Sequence, residues 1–182
     1  MDAAQRQLSD QIDDATQRLL GVARVITDAD LREPSMLPGW TRAYLLAHVT
    51  RSADAMRNLM IGARDGEDRP AYASAQARAA GIEQGASQTA AELAAGIASS
   101  AMAFRTIATR LPDQAWDYQV RVPGLDPFPA GQLLIRRLVE VELHHCDLGL
   151  AYTPAHWPPA FAALDLAEPM RSQRADRLAW SR

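Results

Sequence analysis

The strongest constraint on the fold is a line of polar side chains along a helix whose flanks are apolar. The sequence predicts a helix from about Ala130 to Leu150. At about 100° per residue, Glu140, His144 and Asp147 fall within a narrow arc, with Arg137 at its edge. Apolar residues flank this arc on both sides, so the polar line runs down the face that should be buried. Buried ionisable groups are costly unless they are paired or bind a metal, so this helix requires polar partners elsewhere.

Composition favours one helical domain. The chain has 182 residues, of which 48% are hydrophobic, enough for a single core. Aromatic residues make up only 6% and alanine is abundant, which favours helices over sheets. We therefore predict an all-α protein.

Charge and cysteine content limit the classes of partner and the cellular compartment that we expect. The net charge is −3 and charges of both signs are interspersed, so no basic patch indicates nucleic acid as a partner. No apolar run reaches membrane-spanning length, and the N-terminus does not resemble a signal peptide. The one cysteine, Cys146, suits a reducing compartment. We expect a cytoplasmic protein with no membrane partner, and leave monomer and dimer open.

Apolar periodicity predicts a bundle of four long helices. They run from about Leu8 to Asp28, from the capping residue Thr41 to about Ile61, from Thr89 to Leu111, and from Ala130 to Leu150. Residues 62–87 form a long crossover with a weak helical piece over 74–83, and residues 116–128 are extended or hairpin-like. We assign residues 1–159 to the bundle and residues 160–182 to a peripheral C-terminal tail, whose last dozen residues are candidates for disorder.

Three residues form a candidate metal site. Glu140 and His144 are spaced i, i+4, so both side chains project from one face and can reach a single ion. The third ligand must come from another helix, and His48 lies on the inward face of the second helix, between Leu45 and Ser52. Two imidazoles and a carboxylate are typical of catalytic zinc with one coordination position left open.

Neighbouring residues are weaker candidates. His145 and Glu142 point well away from Glu140 on the same helix, whereas Asp147 or Arg137 can orient a ligand or the substrate. Cys146 lies on the far side of its helix and is interpreted as a packing residue, which disfavours a cysteine nucleophile. The alternative for the inward histidine is a hydrogen-bonded core residue, and the Glu140–His144 spacing also arises by chance.

Three segments resemble the mycothiol-dependent maleylpyruvate isomerase family, whose members are DinB/YfiT-like metal-binding four-helix bundles. They are residues 37–49 (LPGWTRAYLLAHV), 72–78 (YASAQAR) and 139–149 (VEVELHHCDLG). The resemblance implies that His48, Glu140 and His144 hold a divalent metal, normally zinc, and that mycothiol is the thiol cofactor. It also implies that Arg78 serves an anionic substrate as a catalytic residue.

The implied reaction is the isomerisation of maleylpyruvate to fumarylpyruvate. The thiol adds to the cis double bond, the resulting single bond rotates, and the thiol leaves again, while zinc favours the thiolate over the thiol. Family isomerases continue into a smaller C-terminal α/β domain, which we expect to be absent here. Two alternatives therefore stand beside the isomerase: a thiol S-transferase acting on electrophiles, and a non-catalytic metal-binding bundle.

Overall fold

The computed structural model describes residues 1–180 and confirms the all-α prediction. In this part of the chain the α-helices are α1 (Ala3–Ala23), α2 (Asp28–Arg32), α3 (Arg42–Asp65), α4 (Ala75–Ala86), α5 (Ala90–Thr109), α6 (Gln132–Asp147), α7 (Pro159–Ala162) and α8 (Met170–Trp180). A short antiparallel hairpin pairs β1 (Gln119–Val120) with β2 (Phe128–Pro129), within and just beyond the segment predicted to be hairpin-like.

The bundle consists of α1, α3, α5 and α6. Helix α3 packs against α5 and α6, and α1 packs against the same two helices, so α1 and α3 lie diagonally across the core. The side chains between them are almost fully buried, including Leu19, Leu45, Ile97 and Phe104. This arrangement makes α3 and α6 neighbours, which are the helices that carry the predicted metal ligands. No helix within residues 1–180 is long and apolar enough to cross a membrane.

Local signals explain where α3 begins and ends. The Thr41 hydroxyl accepts a hydrogen bond from the Tyr44 backbone N–H, as expected of an N-cap. The helix runs to Asp65, beyond the predicted end near Ile61, and stops at Gly66. That glycine has φ +71°, a left-handed conformation that a glycine adopts without steric cost.

The first predicted helix, Leu8 to Asp28, ends earlier in the structure and is followed by a short separate helix. Helix α1 already begins at Ala3, because Asp2 and Gln5 form a reciprocal capping box, and it ends at Ala23. A new helix starts after Thr27, whose hydroxyl accepts from the Asp30 backbone N–H while the Asp30 carboxylate accepts from Thr27. This second cap satisfies the donors of a separate helix start, so the predicted end of the first helix near Asp28 was wrong.

The crossover contains a full helix rather than a weak helical piece. Helix α4 packs along α3, and Ile82 is completely buried. Gly85 allows this close approach, because a Cβ atom at that position would lie 2.8 Å from the Cβ of Ala47. Tertiary packing on α3 therefore stabilises a segment whose own apolar pattern is weak.

The C-terminal tail is not peripheral over the residues described. Helix α8 packs on α6, and both Met170 and Arg177 are buried. The expectation of disorder in the last dozen residues fails for residues 171–180, which are helical, and Arg177 in this helix pairs with a buried carboxylate on α6. Residues 181–182 lie outside the described part of the chain, and the domain boundary at residue 159 stays a prediction.

Candidate metal centre

The structure brings together the three residues that the sequence singled out as ligands. Potential ligand atoms of His48, Glu140 and His144 all lie within 4.8 Å of one another. His48 comes from α3, and the other two residues lie one turn apart on α6. The imidazole rings of the two histidines are nearly perpendicular, with centroids 4.9 Å apart.

Glu140 is the centre of this group. Its Oε2 atom lies 3.2 Å from Nε2 of His48 and 3.6 Å from Nε2 of His144, and it accepts a hydrogen bond of 3.0 Å from the Ser52 hydroxyl. Burial opposes the charged carboxylate, but the hydrogen bonds and the charge interactions with His144 and His48 together outweigh burial and hold the pKa of Glu140 well below its ordinary value. An ionised carboxylate is therefore available to a cation.

His144 is oriented from behind by a second carboxylate. Its Nδ1 atom lies 2.8 Å from Oδ2 of Asp147, so Nδ1–H donates to Asp147 and Nε2 faces Glu140. Burial disfavours the charged imidazole, but the hydrogen bonds to Asp147 and Glu140 outweigh it and raise the pKa of His144 to about 9. A metal at Nε2 must therefore displace a proton.

Asp147 is itself held by α8. The Arg177 guanidinium donates two hydrogen bonds to it, from Nε to Oδ1 at 2.9 Å and from Nη2 to Oδ2 at 2.8 Å. Asp147 is 0% exposed. Of the two residues considered as orienting groups, Asp147 contacts the candidate ligand His144 directly, and a chain of contacts runs from the C-terminal helix to His144.

Arg137, the other candidate orienting group, contacts the backbone instead. It is 0% exposed, and its Nη1 atom donates to the carbonyl oxygen of Val49 at 2.9 Å. Burial lowers the pKa of Arg137 to about 10. This contact ties α6 to α3 one residue beyond His48.

Arg78 reaches the group from the crossover helix. Its Nη2 atom lies 3.4 Å from Nδ1 of His48, and its guanidinium is 5.8 Å from the centre of the Tyr72 ring. The indole of Trp40 contacts the other side of His48, with ring centroids 5.2 Å apart. The predicted substrate-binding arginine therefore lies beside a candidate ligand, although its catalytic part stays a prediction.

The residues of α6 that were poor site candidates on sequence grounds, Glu142, His145 and Cys146, lie on another face of the helix. Glu142 accepts hydrogen bonds from Arg18 at 2.5 Å and from the Tyr152 hydroxyl at 2.6 Å. The ring of His145 stacks on Tyr152 with centroids 3.8 Å apart. Burial raises the pKa of Cys146 to about 12, so its thiol is protonated at neutral pH. None of these residues approaches the ligand group.

A cavity of about 280 Å³ borders the ligand group. His48, Ser52 and Glu140 lie in its wall together with Tyr72, Arg136 and Gln173. The remaining lining is apolar: Ala55, Met56, Leu59, Ala71, Val122, Leu125, Phe128, Leu133, Val139, Pro169 and Met170. Sequence reasoning missed the contributions of the hairpin and α8, because short or irregular segments carry no periodicity that assigns them to a site.

The donor set fits a zinc ion. Two imidazole nitrogens and an ionised carboxylate oxygen converge, and one imidazole donates its other N–H to a buried carboxylate, an arrangement common behind metal-bound histidines. Two of the three candidate ligands, His48 and Glu140, lie in the wall of the cavity, which suits a metal with a coordination position open to a further ligand.

Comparison with known proteins gives a consistent result. Residues 12–149 match the family model described as the mycothiol maleylpyruvate isomerase N-terminal domain. The crystal structure of the mycothiol-dependent maleylpyruvate isomerase is 29% identical, with a TM-score of 0.81, and the match covers 86% of this chain and 65% of that one. A mutant of that enzyme with one histidine replaced by alanine matches at 28% identity, with the same TM-score and coverage. This chain thus spans 65% of the length of those structures. No curated protein sequence matches significantly.

Proposed function

The chain belongs to the mycothiol maleylpyruvate isomerase N-terminal domain family, and on this premise we propose that it is a zinc- and mycothiol-dependent isomerase that converts maleylpyruvate to fumarylpyruvate. The observation that carries the proposal is the convergence of His48, Glu140 and His144 beside a cavity whose wall includes His48 and Glu140. These three residues would hold the zinc. When bound, zinc supplies a Lewis acid that favours the thiolate form of mycothiol at neutral pH.

The protein groups around the ligands have separate tasks. Asp147 keeps the His144 ring in one orientation and Ser52 holds the Glu140 carboxylate, so the ligand set is organised before the ion arrives. The chemistry needs no cysteine of the protein, in agreement with the buried, protonated thiol of Cys146.

Arg78 is suited to a carboxylate of the substrate. If Nε2 of His48 is a metal ligand, its Nδ1 carries the ring proton and cannot accept a hydrogen bond from Arg78. Two donor groups then face each other across 3.4 Å, the distance between Arg78 Nη2 and His48 Nδ1. A carboxylate oxygen can accept from both, and a guanidinium binds a carboxylate with two parallel hydrogen bonds.

The cavity favours a second candidate, a mycothiol S-transferase acting on electrophiles. Most of its lining is apolar, and apolar walls suit an electrophile with little charge. In that reaction the thiol sulfur forms a lasting bond to the electrophile. The isomerase returns its thiol after each turnover, so the fate of the thiol distinguishes the two reactions.

The test is an assay of the zinc-loaded protein with mycothiol and maleylpyruvate, in which fumarylpyruvate and free thiol are both measured. We expect fumarylpyruvate to form without loss of thiol, and expect His48→Ala and His144→Ala to lose both zinc and activity. The matched control is His156→Ala, which removes an exposed histidine outside the ligand group. Thiol loss with an uncharged electrophile would identify the transferase. Full zinc loading without either reaction would identify a non-catalytic metal-binding bundle.

We also propose a cytoplasmic location with small molecules as partners. A thiol cofactor remains reduced only in a reducing compartment, and the single unpaired cysteine is compatible with one. The expected partners are the thiol and a small anionic or electrophilic substrate.

A further inference from the structure

Arg136 stands out in the cavity wall because its charge has no partner. It lies on α6 one turn before Glu140 and is half-buried. Within residues 1–180 its side chain makes no hydrogen bond or ion pair, and its Nε atom is buried without a partner. Its one specific contact is with the ring of Phe128, whose centre is 3.9 Å from the guanidinium carbon.

Several other arginines that are buried or half-buried have partners, whereas Arg137 donates only to the carbonyl oxygen of Val49 and Arg57 makes no hydrogen bond or ion pair within residues 1–180; neither of these two lines the cavity. Arg18 pairs with Glu142, Arg51 with Asp54, and Arg177 with Asp147. Arg42 donates to the carbonyl oxygen of Leu148, and Arg174 donates to two backbone carbonyls. Burying a cation without a partner is unfavourable, and Arg136 differs from Arg137 and Arg57 because its unpaired guanidinium lies in the wall of the cavity.

The burial of Arg136 has a measurable consequence for its charge. Desolvation lowers its pKa, and no neighbouring carboxylate opposes that effect. Asp126 and Glu168 line a second groove that Arg136 also borders, but neither carboxylate comes within ion-pair distance of Arg136. An anion in the cavity would pair with the positive charge of Arg136.

The surroundings of Arg136 suit a carboxylate. Contact between the guanidinium and the face of Phe128 restrains the group while leaving its N–H donors unused. A planar fork of donors binds a carboxylate through two parallel hydrogen bonds. The same cavity is lined by Glu140 and His48, so one ligand can approach both Arg136 and the candidate metal centre across apolar walls.

We propose that Arg136 is a carboxylate-binding residue of this cavity, which therefore takes small carboxylic acids whose uncharged part extends along the apolar walls. The inference rests on the proposed function in one respect: it takes this cavity as the site of the ligand. It adds a second arginine to Arg78, on a different helix and in contact with a different aromatic ring, and so predicts selection for acids over their uncharged analogues.

The test compares an acid with its neutral analogue. Binding of maleate and of uncharged maleamide to the zinc-loaded protein is measured by calorimetry for wild type, Arg136→Gln and Arg136→Lys. The matched control is Arg110→Gln, which removes an exposed arginine that lines none of the cavities described. We expect Arg136→Gln to raise the Kd for maleate roughly ten- to hundredfold, the effect of losing a charge-assisted hydrogen bond, with the Kd for maleamide unchanged. Arg136→Lys should recover part of the loss, and Arg110→Gln should have no effect.

Three results would overturn the inference. Equal maleate affinity in wild type and Arg136→Gln would show that the arginine binds no carboxylate, and isomerase activity, measured separately, would leave the proposed function standing. If Arg136→Gln weakened the binding of maleate and of maleamide equally, the role of Arg136 would be structural. Absence of maleate binding to zinc-loaded wild type would remove the acid subsite itself. If Arg136→Gln does not fold, Arg136→Lys decides, because loss of the two-pronged geometry should still weaken maleate alone.

Discussion

Replacement of Arg177 by methionine tests whether the C-terminal helix supports the metal centre. Methionine retains an apolar stem of similar length but removes both hydrogen bonds to Asp147. Asp147 then keeps only His144 as a side-chain partner, in a setting where its carboxylate is fully buried. The variant therefore perturbs a ligand through one intermediate residue without changing any ligand.

The expected loss of stability follows from the burial of the Arg177–Asp147 ion pair. Removing one partner of a buried ion pair typically costs about 3–5 kcal/mol, and each hydrogen bond to a charged group contributes about 1.5–3 kcal/mol. Because His144 continues to donate to Asp147, we expect the lower end, about 3 kcal/mol in the free energy of unfolding. Zinc affinity should fall roughly ten- to hundredfold, as it does when the group behind a metal-bound histidine is disturbed.

The assay combines urea unfolding of the metal-free protein with zinc competition against a chelating dye. Arg171→Met is the control, because Arg171 lies on the same helix but is exposed and donates only to the carbonyl oxygen of Leu166. A double-mutant cycle with Asp147→Asn isolates the pair, and we expect a coupling energy above about 1 kcal/mol. A variant with wild-type stability and wild-type zinc affinity would refute the reasoning that α8 supports His144.

Three further predictions concern other parts of the bundle. Gly85→Ala should destabilise the protein by about 1–3 kcal/mol in urea unfolding, because the new methyl group would lie 2.8 Å from the Cβ of Ala47; unchanged stability would show that α4 shifts freely. Cys146 should resist alkylation by iodoacetamide at pH 8 in the folded protein and react after denaturation, because burial raises its pKa to about 12; rapid labelling of the native state would contradict this. Burial and the charge of Arg18 lower the pKa of His145 to about 4, below the unfolded value of about 6.5, so its contribution to stability is complete above pH 6.5 and is lost as the pH falls towards 4. His145→Phe should remove up to about 3 kcal/mol of this pH dependence in the metal-free protein, and parallel pH profiles for the two proteins would argue against it.

Apolar periodicity and capping residues predict only local features, such as the faces and the ends of a helix. The i, i+4 spacing of Glu140 and His144 and the cap at Thr41 act within two turns of a helix, so both could be read directly from the sequence. The boundary between α1 and α2 is also local, because the capping box of Thr27 and Asp30 spans four residues, but the apolar stripe that continues to Ile26 predicted a helix end that lies too late in the chain.

By itself, the sequence determined the all-α class, the long helices and the chemical types of the three candidate ligands. The sequence also predicted that His48 joins Glu140 across two helices, and the structure confirms that the two residues meet. Tertiary structure alone decided that Arg177 pairs with Asp147 over 30 residues and that Arg136 is unpaired in the cavity wall. The physical reason is that a helical pattern depends on the residue type every three or four positions. The partner of a buried charge depends on which distant segment packs against it, and a buried charge that finds no partner costs free energy.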